Sequence, residues 1–424
     1  MAQPMKYWDA VFAFLVAMAV AAALTPLAAR FARRIGAIDF PRARGLSEHP
    51  TPKLGGLAIL LGAAIAAAIW LRPTIYLAHV PHTPPGSGGT VHTWLVLVGA
   101  ALITFVGAVD DWRALSPPAK LIGQIAAAVI AVKAGVTVND VTIPFVGSLQ
   151  FPNEGGVLSA IWLVGMMNVV NFSDGIDGLA AGLCTIDGIA FTIIVFDLPH
   201  GSKEAAIMAA LTGGAALGFL IHNFPPAKVF MGDSGANLLG YLLGVVAVIG
   251  SLKTGAVVAL AVPLLILAVP FLDTGFVVAK RLKYRQAPWA ADDNHFHHRM
   301  ARIGFSQRKT VAYLHAWSFM LAGVAVLLRV VPYSNHKGHL YLGWSLVMGA
   351  ILLLALAASV YLVYVLEILK FKGLRSIQIR RQEPASTADE IDRTVQQEVE
   401  TGEFDKLAGD PPETGEFETV GGKR

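Results

Sequence analysis

Residues 168–178 read NVVNFSDGIDG and join two apolar stretches that each look long enough to span a membrane. A charged side chain deep in a bilayer costs roughly 2.5–3.5 kcal/mol on insertion scales. Two carboxylates and two carboxamides at a membrane edge therefore indicate a functional site. Gly175 and Gly178 each follow one of the carboxylates and leave room for a bulky ligand to approach the backbone.

The composition of the whole chain favours the same environment. Of its 424 residues, 55% are hydrophobic and only 15% are charged, against about 25% charged in a typical soluble protein. Apolar segments bounded by glycine, proline or charge recur along the chain, and about 20 such residues span a bilayer as a helix. The sequence therefore predicts an all-α, polytopic helical integral membrane protein with about eleven transmembrane helices.

The predicted spans cover residues 9–30, 54–72, 93–109, 118–134, 156–170, 178–197, 204–222, 236–250, 255–279, 310–330 and 340–368. Residues 1–370 form the membrane-embedded domain. Residues 371–424 form a charged cytoplasmic tail that is poor in large apolar side chains, so we expect it to be disordered.

Lysine and arginine are concentrated in loops of one parity. The loop after the first span holds Arg30, Arg33, Arg34, Arg42, Arg44 and Lys53, and the loop after the ninth is equally basic. Because basic loops stay in the cytoplasm, the protein is predicted to lie in the plasma (inner) membrane with its N-terminus outside the cell and its C-terminus in the cytoplasm. Residues 136–153 alternate in polarity and carry turn residues, which predicts a small hairpin on the outer side.

Five polar clusters all fall on the predicted cytoplasmic side, although the charge count did not use them. They are TPKLGG at 51–56, Asp110 and Asp111 with Lys120, the 168–178 stretch, FMGDSG at 230–235 and DDNHFHH at 292–298. Adjacent carboxylates such as those of Asp110 and Asp111 suit Mg²⁺, which takes one or two carboxylates together with phosphate oxygens. A simpler interpretation is that this pair only marks a helix end.

The other candidates also have structural alternatives. Asp174 and Asp177 are three residues apart and share one face if a helix starts there, although N-capping explains one carboxylate alone. His295, His297 and His298 are closely spaced without a neighbouring cysteine, so sugar or phosphate contacts fit them better than zinc. The two lysines at membrane-edge loops, Lys53 and Lys120, are either phosphate ligands or snorkelling topology markers.

Together these groups indicate a magnesium and phosphate site at the lipid boundary, and hence a lipid phosphate as one substrate. The motifs NVVNFSDGIDGLA, VFMGDSG, DDWRALSPPAK, TPKLGG and DDNHFHHR resemble those of the polyprenyl-phosphate N-acetylhexosamine-1-phosphate transferases over roughly residues 30–310. The resemblance implies Mg²⁺ or Mn²⁺ as cofactor, a UDP-sugar donor, a polyprenyl phosphate acceptor and UMP as product. The His-x-His-His arrangement resembles the branch that transfers GlcNAc-1-phosphate to undecaprenyl phosphate.

The resemblance also implies residue roles. Asp110 and Asp111 are the catalytic candidates, and Asp233 with Asp111 are the metal candidates. Nucleotide-sugar binding falls to Asn171, Asp174, Asp177, His295, His297 and His298, and lipid-phosphate binding to Lys120, with Lys53 added from its loop position. Ala114 stands where many relatives carry a third aspartate. Ala236 and Asn237 replace a common Ser-Leu pair, a departure expected to have little effect on the chemistry.

The predicted reaction is transfer of GlcNAc-1-phosphate from UDP-GlcNAc to polyprenyl phosphate, as the first membrane step of a cell-surface glycan pathway. Donors such as UDP-MurNAc-pentapeptide or UDP-GalNAc are the alternatives within the family. A transporter is the alternative from another class, although it would place polar groups near the bilayer midplane, and a lipid phosphatase is a third. Membrane lipids are expected partners, nucleic acid is not, and homodimer formation is left open.

Overall fold

The computed structural model describes residues 7–40, 50–76, 90–138, 140–143, 147–151, 154–197, 203–250, 267–268, 306–331 and 341–364, with a few isolated positions beyond. The long helices in these ranges are α1 (Tyr7–Ile35), α2 (Gly55–Trp70), α3 (Thr93–Trp112), α4 (Pro117–Lys133), α5 (Gly155–Ser173), α6 (Leu179–Asp197), α7 (Lys203–Asn223), α8 (Gly232–Gly250), α9 (Gln307–Val330) and α10 (Leu342–Tyr364).

Within the described ranges, six short strands pair as three antiparallel hairpins between the helices. They are β1 (Ile38–Asp39) with β2 (Thr51–Pro52), β3 (Thr74–Tyr76) with β4 (Thr90–His92), and β5 (Asp140–Ile143) with β6 (Gly147–Gln150). The third pair lies within residues 136–153, so the hairpin predicted there is confirmed.

Ten of the predicted segments coincide with α1 to α10, with ends that differ by a few residues. The ninth, 255–279, and the predicted tail, 371–424, lie outside the described residues except for a few isolated positions. Within the described part of the chain, eight helices are long and apolar enough to cross a membrane, whereas α2 and α4 have 16 and 17 residues. The protein is therefore a helical, multi-pass membrane protein.

Small residues bring the helices close together. In α1 the buried side includes Ala13, Ala17 and Ala21, while large apolar side chains on other faces are exposed, as expected for contact with lipid. Gly214 and Gly218 of α7 face the backbone of α1 so closely that a Cβ at either position would collide with it. Such small-residue contacts drive helix association where lipid removes the hydrophobic force between helices.

Helix α8 occupies the centre, buried along nearly all its length and in contact with α2, α3, α5 and α7. The helices alternate in direction around it, so that the motif loops meet at one end. There, Trp112 Nε1 at the end of α3 donates to the Ile35 oxygen at the end of α1 at 2.9 Å. At the opposite end, the Val138 N–H donates to Ser159 Oγ of α5 at 2.8 Å. Antiparallel packing therefore gathers the polar motifs.

Candidate active site

A lysine from one helix joins two aspartates from two others. Lys120, in the first turn of α4, places Nζ 2.6 Å from Asp110 Oδ2 and 2.8 Å from Asp233 Oδ2. Asp110 lies in the last turn of α3, and its Oδ1 accepts a hydrogen bond from the Leu115 N–H at 2.7 Å. Asp233 is the second residue of α8. The ammonium group therefore compensates two carboxylates at the meeting point of three helix ends.

The second aspartate of the pair binds the start of α8. Asp111 Oδ1 accepts from the Asp233 N–H at 2.9 Å, and Oδ2 accepts from the Ser234 N–H at 3.1 Å. A carboxylate in this place satisfies two free amides and is favoured by the positive end of the helix dipole. Gly232 has φ +69°, and a Cβ there would collide with the Asp111 carboxylate. Glycine is therefore required beside this anchor.

Backbone pairing joins the 51–56 motif to the 230–235 motif. The Phe230 N–H donates to the Pro52 oxygen at 2.9 Å, and the Gly55 N–H donates back to the Phe230 oxygen at 3.1 Å. Lys53, between these contacts, forms an ion pair with Asp39 of β1 at 3.2 Å. The pairing fixes the segment that leads into Asp233.

The sequence left open whether Asp174 and Asp177 share the face of a helical first turn, and the structure shows that no helix starts there. Both lie in a non-helical turn, because α5 ends at Ser173 and α6 begins only at Leu179. Gly178, directly before α6, has φ +77°, a left-handed conformation that separates this turn from the helix that follows.

Asp177 instead links this turn to the chain before α8. Its Oδ2 accepts from the Ala227 N–H at 2.9 Å. Burial raises the pKa of Asp177, while hydrogen bonds from the Ala227 amide and the Gln307 side chain oppose that change. Gln307 is the first residue of α9, so this carboxylate connects its own turn with two other parts of the chain.

The site carries an excess of negative charge that suits a divalent cation. Burial raises the pKa of Asp174 well above its usual range, and the charges of Asp233 and Asp111 raise it further. Among the described residues, no three acidic, histidine or cysteine side chains form a metal cage by themselves. This arrangement fits Mg²⁺ or Mn²⁺, since Mg²⁺ characteristically takes one or two carboxylates and completes its shell with water and substrate phosphate.

An apolar groove of about 520 Å³ lies between α4 and α5. Leu121, Ile125 and Val129 line it from α4, and Val157 and Ile161 line it from α5. These side chains are exposed, which is expected on a surface in contact with hydrocarbon. Leu121 directly follows Lys120 in the sequence, so the lining of the groove begins in the first turns of α4 and continues along that helix through Val129.

Comparison with known proteins identifies the family. Residues 93–251 match the family described as "Glycosyl transferase family 4". The chain is 33% identical to the probable undecaprenyl-phosphate N-acetylglucosaminyl 1-phosphate transferase of Bacillus subtilis strain 168, over 75% of this chain and 85% of that protein. The chain belongs to the polyprenyl-phosphate N-acetylhexosamine-1-phosphate transferase family.

Other members of this transferase family match over similar lengths. The decaprenyl-phosphate N-acetylglucosaminephosphotransferase of Mycolicibacterium smegmatis is 33% identical over 77% of this chain and 82% of its own. The phospho-N-acetylmuramoyl-pentapeptide-transferase of Geobacillus kaustophilus is 30% identical over 76% of this chain and 98% of its own. The likeness therefore extends over most of each relative.

The structure brings most of the family-implied residues to one end of the bundle. Asp110, Asp111, Asp233 and Lys120 meet directly, and the charges of Asp111 and Asp233 act on Asp174. Asn171 lies in the last turn of α5, where its backbone oxygen accepts from the Asp174 N–H at 3.2 Å. The histidine candidates, His295, His297 and His298, lie outside the described residues, so their role stays a prediction.

Sequence reasoning missed the residue that orders two loops of this transferase site. Asn223, the last residue of α7, accepts from the Gly178 N–H at 2.8 Å and donates to the Val229 oxygen at 2.9 Å. It therefore holds the 174–178 turn against the segment before α8. The available signal in the sequence was a carboxamide at the end of an apolar segment. Asn223 lies outside every motif, so this signal alone did not single it out.

Proposed function

We propose that this protein transfers GlcNAc-1-phosphate from UDP-GlcNAc to polyprenyl phosphate and releases UMP. The observation that carries the proposal is the position of Lys120, which lies between two carboxylates and beside the first residue of an apolar groove. An ammonium group suits the phosphate of a lipid carrier, and the exposed apolar side chains suit its hydrocarbon. Lys53 is a second candidate for the carrier phosphate at the same end.

In the proposed reaction the carrier phosphate attacks the β-phosphorus of the donor, and UMP leaves. The second pKa of a phosphate monoester is about 6, so the carrier is mostly dianionic at neutral pH and needs little deprotonation. Asp110 is already engaged at both oxygens, by Lys120 and by the Leu115 amide. This supports Asp110 as the group that orients Lys120, with general base as the second role and covalent nucleophile as the third.

Asp233 and Asp111 are the proposed holders of Mg²⁺ or Mn²⁺, with Asp174 close enough to act on both electrostatically. When bound there, the metal would supply positive charge to neutralise the donor diphosphate. Asp111 also keeps the start of α8 in place through its two amide contacts. Asn171, Asp174 and Asp177 are the proposed nucleotide-binding segment, together with the three histidines.

The choice of donor rests on the relatives. Those named as GlcNAc transferases are 33–35% identical to this chain, and those named as pentapeptide transferases are 28–32% identical. UDP-MurNAc-pentapeptide and UDP-GalNAc are the alternative donors. The transporter alternative is disfavoured because the polar motifs lie at one end of the helices, which we propose is the cytoplasmic side of the inner membrane.

Product analysis tests the proposal. Purified protein in detergent receives polyprenyl phosphate, Mg²⁺ and one UDP-sugar at a time. We expect UMP and a polyprenyl-diphospho-sugar with UDP-GlcNAc, and far less of both with UDP-MurNAc-pentapeptide. Release of inorganic phosphate instead of UMP would indicate a lipid phosphatase, and no product with any donor would remove the transferase proposal.

The metal and the route of transfer are tested in the same assay. Excess EDTA and Asp233→Asn should each abolish UMP release from folded protein, and full activity with EDTA would contradict the metal assignment. Direct transfer predicts that exchange of labelled UMP into UDP-GlcNAc needs the lipid carrier. A stoichiometric burst of UMP without lipid would instead indicate a covalent aspartyl intermediate.

A further inference from the structure

Three carboxamide side chains form a hydrogen-bonded chain one helical turn behind the site. Asn168 Nδ2 donates to Gln124 Oε1 at 2.9 Å, and Gln124 Nε2 donates to Asn237 Oδ1 at 2.8 Å. Asn237 Nδ2 donates in turn to the backbone oxygen of Asp233 at 2.8 Å. We call Asn168, Gln124 and Asn237 the amide triad. Its members come from α5, α4 and α8, so it connects three helices.

The amide triad has a regular relation to the site residues. Gln124 lies four residues after Lys120, and Asn237 lies four residues after Asp233. Residues three or four apart share one face of a helix. Each of these carboxamides therefore lies directly behind a charged group of the site on the same helix. Asn168 has the same relation to Asn171, three residues later.

Two members of the amide triad are buried, so their side-chain amides depend on each other for hydrogen bonds. Gln124 is 5% exposed and Asn237 is 4% exposed, so neither amide can exchange its partner freely for water. Contacts between apolar side chains are non-directional, and they tolerate some sliding of one helix along another. A hydrogen bond weakens steeply away from its preferred distance and angle. The amide triad therefore defines the position of α4 along α8 in a way that apolar packing does not.

We propose that the amide triad is a positioning device that fixes the axial register of α4 against α8 and so holds Lys120 beside Asp233. The proposal rests on the transferase function above and deepens it. The three carboxamides act through Lys120 and Asp233, and they are positioning residues. The cause is geometric: a slide of α4 by a fraction of a turn would open the 2.8 Å contact between Lys120 Nζ and Asp233 Oδ2.

Apolar replacements of similar length separate positioning from stability. Asn237→Leu or Gln124→Met alone leaves a buried amide without its partner, which lowers stability. The double variant leaves neither unsatisfied within this pair, and we expect its melting temperature to recover towards the wild-type value. Its kcat should nevertheless stay at least about tenfold below wild type, with the donor KM changed less than twofold, because the register is no longer defined.

A matched control removes an interhelical hydrogen bond elsewhere. Trp317 Nε1 of α9 donates to Ser359 Oγ of α10 at 2.9 Å, and both side chains are buried. Ser359→Ala should lower the melting temperature without changing kcat. A double variant with both wild-type stability and wild-type kcat would overturn the positioning proposal.

If the double variant does not fold, Asn168→Leu at the partly exposed end of the triad tests the proposal instead. The kcat of this variant should fall at least threefold, and an unchanged kcat would overturn the proposal.

A thermal measurement tests the amide triad without any activity. Lys120→Met is made in the wild type and in the Asn237→Leu variant, and melting temperatures are compared. We expect Lys120→Met to change the melting temperature of the Asn237→Leu variant by less than half of the change that it causes in the wild type. The reason is that Lys120 is no longer held at Asp233 in that variant. Additive effects would overturn the proposal. If wild-type protein released no UMP, the transferase function would fail and this comparison would still decide the role of the triad.

Discussion

At the scale of single residues, the site depends on contacts that leave no spare room. The Asp111 carboxylate lies against Gly232, and its two oxygens hold the amides of Asp233 and Ser234. Any side chain at position 232 must displace this carboxylate or move the start of α8. The position of Asp233 is therefore fixed by Asp111, whose carboxylate accepts from the first amides of α8.

We expect Gly232→Ala to lower kcat about a hundredfold, the loss that a displacement of about 1 Å produces at a reacting centre. Steady-state UMP release measures the effect. Gly165→Ala in α5 is the matched control, because a Cβ there meets nothing within 4 Å. The control should keep wild-type activity and stability, and an equally active Gly232→Ala would contradict the anchoring role of Asp111.

Lys120 gives a second prediction at this scale. Lys120→Met leaves Asp110 and Asp233 facing each other without compensation and removes the proposed phosphate ligand. We expect a loss of about 10²- to 10³-fold in kcat, the range found when one electrostatic donor is removed from an active site. Lys133→Met, at the exposed far end of the same helix, should leave kcat unchanged. Retention of more than half the activity in Lys120→Met would exclude the lysine from the reaction.

At the scale of helices and loops, the ends of neighbouring elements hold one another in place. Asn223 at the end of α7 bonds both the turn before α6 and the segment before α8. The turn carries the proposed nucleotide-binding residues, and the segment leads into Asp233. One side chain therefore holds two motifs against each other that are far apart in sequence.

We expect Asn223→Leu to lower the melting temperature and to raise the donor KM more than kcat falls. The Gly178 amide and the Val229 carbonyl would lose their partner, at a cost of about 1–3 kcal/mol for each buried group. Thr212→Val, in the same helix, removes only a bond within that helix and should have the smaller effect. Differential scanning fluorimetry measures the melting temperature, and initial rates measure kcat and the donor KM. An unchanged donor KM would contradict the nucleotide-binding role proposed for the turn.

At the scale of the whole molecule, antiparallel helices place the polar motifs at one end, and the basic loops predict that this end is cytoplasmic. Cysteine labelling tests the orientation in a Cys184→Ser background, since Cys184 is buried in α6. Ala114 is exposed at the motif end, and Glu154 is exposed at the opposite end.

A cysteine introduced by Glu154→Cys should react with an impermeant maleimide in right-side-out vesicles. One introduced by Ala114→Cys should react only after the membrane is permeabilised. The two variants control for each other, since both side chains are exposed and differ in the end of the bundle they occupy. The reverse pattern would place the site on the outer side and contradict the predicted topology.

Much of the site was predictable because its residues belong to short local motifs. The carboxylates of Asp110, Asp111 and Asp233 and the ammonium of Lys120 were all identified from sequence, and the structure brings them together. Asn237 was not, because its departure from the common pattern was expected to matter little, whereas it bonds the Asp233 backbone. Spacing left open whether Asp174 and Asp177 share a helical turn, because it does not reveal that α5 ends at Ser173 or that Gly178 is left-handed directly before α6.

The sequence by itself determined the class of protein and the family. It also predicted the ten helices that lie within the described residues and the motifs at their ends. These follow from local properties: the length of apolar segments, the glycines and prolines that bound them, and runs of polar residues. Only the tertiary structure decided that Lys120 meets Asp233, which lies 113 residues away, and that Gln124 meets Asn237. Such pairs depend on helix register, which is set by packing and hydrogen bonds between side chains from many parts of the chain at once.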